Sequence, residues 1–196
     1  LEDAVLEGPA NLRLIPAGSG IAELADLDGG QRVQLVNSLR RFLAGAEFLL
    51  IDTGAGIGRG VMSLLSTADE VIVVVTPEPT SLADGYALIK VLGQGRLHSR
   101  VNLVVNRAES AAEAQQVLRR LALVVNRFLD IELRYLGFVY NDPAVPKAVA
   151  RQQPVVLSHP HSRAARQFNY LAGRLLEEEV PPQDGGFMRR LLRLFG

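Results

Sequence analysis

FLLIDTGAGIGRGVMSLLSTADEVIVVVTPEPTSLADGYALIK, residues 48–90, is the stretch that decides the fold. The apolar run at 48–51 stops abruptly at Asp52, so a buried strand is expected to deliver one carboxylate to the carboxyl edge of a sheet, where open α/β folds place their ligands. Gly54, Gly56 and Gly58 follow at once, and a flexible turn of this kind lets backbone N–H groups approach a phosphate. A helix over about 58–67, the β-branched strand 71–76 and a helix over about 81–92 behind a Pro-Glu-Pro loop extend the pattern to a second strand-to-helix unit.

The alternation runs on in both directions. Residues 12–15 read as a short strand closed by Pro16 and the loop Gly18-Ser19-Gly20, and Val33, Val36, Leu39 and Leu43 recur at helical spacing over about 29–44. Downstream, strands are expected at 101–106, 136–140 and, briefly, 155–157, with helices over 111–128, 144–151 and 162–179. Continuous apolar strands alternating with helices predict an α/β fold, a mainly parallel sheet covered on both faces through right-handed crossovers. The Pro181-Pro182-Gln183-Asp184-Gly185-Gly186 stretch then divides the chain into a domain over 1–180, a linker over 181–186 and a tail over 187–196.

The composition is that of an ordinary water-soluble fold. The 196 residues suit one domain, and 21 basic residues balance 21 acidic ones, so net charge gives no push toward nucleic acid. Without Arg189, Arg190 and Arg193 the balance becomes 18 against 21, which makes the body mildly acidic and the tail basic. The absence of cysteine excludes disulfides, thiol catalysis and thiolate metal sites within these residues. Apolar runs fall far short of the roughly 20 residues that span a bilayer, and no export signal is read, so a cytoplasmic protein is expected.

Several chemistries fail on spacing. A G-x-G-x-x-G register begun at Gly54 meets Arg59 at its third glycine, and one begun at Gly56 meets Val61, so a dinucleotide fingerprint is not formed. His98, His159 and His161 are not organised as metal ligands, and no serine has a His and Asp to activate it. The plainest reading of Asp52 is a strand-end residue capping the next turn, and that of Asn106 is a turn residue, although its amide carries both the donor and the acceptor that a purine edge requires. Glu78, between two prolines, reads as a loop-shaping residue, and Arg107 as a solvated neighbour.

Beyond single residues, the 48–90 stretch resembles the second acidic motif of the MinD/ParA family of deviant-Walker ATPases. The segment Thr76-Pro77-Glu78-Pro79-Thr80-Ser81, with Asp84, Tyr86, Ala87 and Lys90, is most similar to that family's flagellar-number (FlhG/FleN) branch. Val104-Val105-Asn106-Arg107 and the stretch from Gly137 through Asp142 and Pro143 to Val145 resemble its base-binding asparagine and purine-side loop, so nearly the whole chain is covered. The resemblance implies an ATPase in which Asp52 organises Mg²⁺ through water, Gly54 and Gly56 sense the terminal phosphate, and Asn106, Asp142 and Pro143 hold the base of ATP. It implies a nucleotide-dependent homodimer that meets a flagellar or division-site protein. Lys90 and Lys147, the two lysines, lie in no GK[ST] loop, and the chain starts at a non-Met residue. The expectation is therefore a fragment that lacks the phosphate-loop strand and is inactive alone, with a non-catalytic scaffold or a DNA-partition ATPase fragment as the alternatives.

The tail carries its own physical pattern. On a helix, Phe187, Met188, Leu191, Leu192, Leu194 and Phe195 fall on one arc while Arg189, Arg190 and Arg193 fall on the other, as suits a segment lying in an anionic membrane interface. Peripheral attachment at the inner face of the cell membrane follows from that reading, and the alternative is docking on protein. Arg119, Arg120, Arg127, Arg163 and Arg166 lack interleaved aromatics and are read as solvated helix faces, so DNA binding is not expected.

Overall fold

The computed structural model describes residues 5–16, 29–43, 45–177, 186–187 and 190–191. They fall into two compact units, Asp69–Pro181 and, separately, Leu1–Ala68 with Pro182–Gly196. In the second of these, β1 (Leu6–Glu7) pairs antiparallel with β2 (Arg13–Leu14) across a 3₁₀ turn at Pro9–Asn11. Residues expected as the first strand of a parallel sheet thus close a small hairpin instead. Helices α1 (Gly29–Leu43) and α2 (Arg59–Thr67) follow the expected spacing.

The stretch at 48–51 is the main departure from expectation. Its backbone forms no strand, and Phe48, Leu49, Leu50 and Ile51 are all exposed, Leu50 to 81%. Strand formation requires a paired neighbour as well as an apolar sequence, and no described strand pairs with this segment.

The Asp69–Pro181 unit holds the parallel sheet. Strand β3 (Ile72–Val75) pairs with β4 (Arg100–Ala108), and β4 with β5 (Glu132–Tyr140), all parallel, in the order β3-β4-β5. Connections run through α3 (Pro79–Gln94) and α4 (Ala111–Phe128), and the chain continues through α5 (Ala144–Ala150), α6 (Val155–Ser158) and α7 (Arg163–Leu176). Helices pack on both faces of the sheet: Val73 and Val75 lie against Gly85 of α3, while Val104, Leu136 and Val139 form a buried cluster with Ala164 and Leu171 of α7. A Cβ at Gly85 would fall 2.5 Å from a Val75 methyl, so α3 packs at a distance that only glycine allows.

Ser110 caps α4 by accepting from the Glu113 N–H, at 3.1 Å, which explains why the helix begins where the sequence places it. Residues 155–157 are the second departure, a helical turn in place of a strand. Pro154 stands at the N-cap, and its carbonyl accepts from the N–H groups of Leu157 and Ser158 and from the Ser158 hydroxyl, so local bonds override the β-branched pair Val155-Val156. On β3, Ile72 and Val74 point away from α3 and are exposed, Val74 to 57%, so one edge and part of one face of this sheet are uncovered.

Candidate functional site

The carboxyl ends of β3, β4 and β5 carry the expected residues of the Asp69–Pro181 unit. After β3, the Thr76 N–H donates to the Ser81 hydroxyl at 2.9 Å, which folds the Thr76-Pro77-Glu78-Pro79 loop back on the start of α3. Glu78 is the N-cap residue and Pro79 occupies the first helical turn, where its missing N–H costs nothing. The Thr76 hydroxyl is buried and has no hydrogen-bond partner among the described residues. The sequence placed Thr76 and Ser81 in the family-like segment but assigned neither a role.

On β4, Asn106 turns its Oδ1 onto the Arg107 N–H at 2.9 Å, and Arg107 adopts φ +58°. The Asn106 Nδ2 group keeps its donors unpaired among the described residues. Arg107 and Glu78 approach to 3.9 Å as an exposed ion pair, so the loops after β3 and β4 face one another. The loop after β5 is tied to the same edge through Asn141, whose Nδ2 donates to Glu109 Oε1 at 2.7 Å and whose N–H donates to the Ala108 carbonyl.

Asp142 has both carboxylate oxygens engaged. Oδ1 accepts from the Ala144 N–H at 2.9 Å and Oδ2 from the Ala164 N–H at 3.0 Å, so one side chain caps α5 and also meets the first turn of α7. These bonds, first from Ala144 and then from Ala164, with the Arg163 guanidinium nearby, hold the carboxyl below its ordinary range. Pro143 precedes α5 directly. The Asp142-Pro143-Ala144 order is a readable helix start, whereas a second bond 22 residues away is not legible in sequence.

The Asp52 segment lies in the other unit and is described by itself. Asp52 is exposed and its carboxylate has no partner among the described residues. Residues 53–58 form an extended turn in which Gly56 takes φ +102°, a conformation that favours glycine, and a Cβ at Gly54, Gly56 or Gly58 would meet open space. In the tail, Arg190 Nε donates to the Thr67 carbonyl at the end of α2, at 2.9 Å, and Leu191 is buried at 5% exposure. Phe187 is half-buried, and Met188, Arg189, Leu192, Arg193, Leu194 and Phe195 lie outside the described residues.

Against ATP and Mg²⁺, these side chains make a partial fit. Asp52 supplies an unpaired carboxylate suited to a hydrated cation, Asn106 an unpaired amide suited to a base edge, and Thr76 an unpaired hydroxyl at the carboxyl edge of β3. A lysine-bearing phosphate cradle is not among these residues. No cluster of three or more His, Asp or Glu side chains able to hold a metal occurs among the described residues, and no described helix is long and apolar enough to cross a membrane.

Known proteins share both this sequence and this fold. The family model of the cellulose biosynthesis protein BcsQ matches residues 1–176. The antiactivator FleN of Pseudomonas aeruginosa is 35% identical over 98% of this chain and 70% of its own length. The flagellum site-determining protein YlxH of Helicobacter pylori is 27% identical over all of this chain and 69% of its own. The septum site-determining protein MinD of Pyrococcus horikoshii, solved with Mg-ADP, superposes with a TM-score of 0.60 at 24% identity, covering 89% of this chain and 68% of that one. With this family model over residues 1–176 and FleN at 35% identity, the chain belongs to the MinD/ParA family of ATPases.

Proposed function

We propose that this chain is the switch-bearing part of a MinD-like ATPase that sets flagellar number or placement through a nucleotide-dependent, membrane-attached dimer. The observation that carries the reading is the open edge of β3, with Ile72 and Val74 exposed beside it and the unpaired Thr76 hydroxyl at its carboxyl end. A parallel sheet is normally buried on both faces, so this edge suits one further strand, and in this family that strand leads into the phosphate cradle. The apolar stretch at 48–51, also without a strand partner, ends in Asp52, which would hold Mg²⁺ through water. Asn106 would meet the base. With both of its oxygens committed to backbone N–H groups, Asp142 would act there by shaping the loop, with Pro143 beside it.

The flagellum site-determining protein YlxH supports the flagellar branch over the division branch. The basic, amphipathic tail supports attachment to an anionic membrane surface, and two tails on one dimer would strengthen a contact that is weak for one. The test uses the full-length natural protein. Wild type is expected to hydrolyse ATP with Mg²⁺, Asp52→Asn to lose roughly a hundredfold or more in rate, and deletion of 187–196 to leave the protein in the supernatant when anionic vesicles are pelleted with MgATP. Unchanged hydrolysis in Asp52→Asn removes the metal role. Absent hydrolysis together with tight, nucleotide-independent binding to a complete homologue makes the protein a scaffold, and strong salt-dependent DNA retention makes it a partition ATPase.

A further inference from the structure

Away from the carboxyl edge, the free side of β5 forms the floor of a groove of about 350 Å³ between the start of α4 and the length of α7. That volume lies at the low end of the roughly 300–1,000 Å³ typical of sites for small ligands or side chains. Phe138 and Tyr170 supply aromatic surface, and Tyr170, 55% exposed, stands at the rim. Gln115, Gln167, Tyr135 and Arg174 supply its polar groups, and Ala111 and Gly137 complete a lining that contains no acidic residue.

The polar groups of this groove are unspent. Gln115, Gln167 and Tyr170 have no side-chain hydrogen bond among the described residues, and the buried Tyr135 hydroxyl, which feels the charges of Tyr170 and Arg174, has none either. Arg174 uses Nη1 alone, donating to the Tyr135 and Leu136 carbonyls at 3.1 Å each, where the β4–β5 register shifts and turns both carbonyls to one side. Its Nε and Nη2 donors remain available. Further along the same strand and helix, the Arg163 guanidinium lies 3.6 Å from the centre of the Tyr140 ring, and Tyr140 packs edge-on against Phe138. Cations therefore flank an aromatic floor on a single stripe of α7, in which Arg163, Gln167, Tyr170 and Arg174 succeed one another at spacings of three and four.

We propose that this groove is a docking site for an acidic segment of a partner protein, one that places a carboxylate on the free donors of Arg174 and an apolar or aromatic side chain against Phe138 and Tyr170. A cation with unpaired planar donors selects a carboxylate, and the absence of any acidic residue in the lining leaves that attraction unopposed. The flanking helices recess the β5 edge, which admits a single extended segment more readily than the broad surface of a second copy. Arg174 covers the two turned-out carbonyls at the bulge, so side chains of the segment, more than its backbone, would carry the contact. The site uses none of Asp52, Asn106 or Thr76 and does not rest on nucleotide binding.

The test is titration of ¹⁵N-labelled full-length protein with acetyl-Glu-Phe-Glu-amide, with acetyl-Gln-Phe-Gln-amide as the uncharged control. Saturable shifts at Gln115, Gly137, Phe138 and Gln167 are expected with the acidic peptide, at least about tenfold weaker with the control, as befits loss of a charge-assisted bond. Gln167→Glu removes no recorded hydrogen bond and places a like charge in the lining, so it should weaken the acidic peptide by at least about tenfold without unfolding the protein. Equal response to both peptides, response unchanged in Gln167→Glu, or no saturation by about 10 mM peptide overturns the proposal. An equally strong response to phenylacetate alone would make the groove a small-carboxylate cleft and overturn the polypeptide reading. Self-association abolished by Gln167→Glu would assign the surface to a second copy.

Discussion

Two apolar runs of similar length and composition end differently in this molecule. Residues 71–75, Val-Ile-Val-Val-Val, include β3, with Val71, Val73 and Val75 buried, while Phe48, Leu49, Leu50 and Ile51 form no strand and are exposed. Sequence alone ranks them alike, since both are continuous apolar runs that end at a polar residue. The difference is the neighbour: β3 has β4 at its side and α3 across one face, whereas no described strand pairs with 48–51. Apolar side chains supply a reason to be buried, and pairing supplies the place.

The largest effect that tests this contrast is truncation of one leucine on each side of it. Leu103, fully buried in β4, should cost about 2–5 kcal/mol as Leu103→Ala, while Leu50→Ala in the same chain should cost less than about 0.5 kcal/mol by urea denaturation. A large loss at Leu50 would show that 48–51 is packed after all and would break the comparison. If a further strand comes to pair with 48–51, the cost of Leu50→Ala should rise toward that of Leu103→Ala.

What was legible in the sequence follows the same line. Helix α4 begins and ends where the periodicity places it, because Ser110 and Glu113 are local signals and the stop at Phe128 needs no distant partner. Strands β4 and β5 were found but come out longer at Arg100–Ala108 and Glu132–Tyr140, because pairing extends them beyond their apolar centres. Residues 155–157 were misread as a strand, since β-branching was visible while the capture of Leu157 and Ser158 by the Pro154 carbonyl was not. Among candidate site residues, Asn106 lies near the carboxyl end of β4 and Asp142 just beyond β5. The bond from Asp142 to Ala164 and the buried, unpaired Thr76 hydroxyl depend on tertiary contacts and left no local trace.

A second test probes how tightly the packed side is built. Gly137 sits at φ +155°, and a Cβ there would fall 2.7 Å from Leu171 Cδ2, so Gly137→Ala must push the buried Leu171 side chain aside and hold a non-glycine residue at a strained φ. A loss of about 1–3 kcal/mol is expected, from overpacking and an unfavourable backbone together. By contrast, Gly54→Ala on the open side meets no atom within 4 Å and should leave stability within about 0.5 kcal/mol. Equal losses at the two glycines would erase the distinction between a packed and an open region.

The two aspartates extend the contrast to polar groups. Asp142→Ala removes the acceptor for two helix-start N–H groups and should cost about 1–2 kcal/mol, whereas Asp52→Ala, exposed and without a partner, should change stability by less than about 0.5 kcal/mol. Because the carboxyl of Asp142 is held below its ordinary value of 3.8, its stabilising share is fully present above that value and is lost as pH falls from about 4 through the lower folded value. Asp142→Asn should therefore flatten the acid limb of the stability profile below about pH 4. An unchanged acid limb in Asp142→Asn would mean that the two backbone bonds are not differentially made to the ionised group.

The smallest expected effect tests whether everything attached to the packed sheet shares its stability. Arg107 and Glu78 sit on loops at the carboxyl edge, 3.9 Å apart, with more than half of each side chain in water. Solvent screens such a pair, and ordering two flexible side chains offsets much of the attraction, so a double-mutant cycle with Glu78→Gln and Arg107→Gln should give a coupling below about 0.5 kcal/mol, fading further with salt. A coupling above about 1 kcal/mol that survives salt would place these loops inside the cooperative structure of the sheet. A coupling near zero would make the carboxyl edge a rigid floor of capped helix starts carrying loosely held charges, which leaves those charges free to rearrange when a ligand enters.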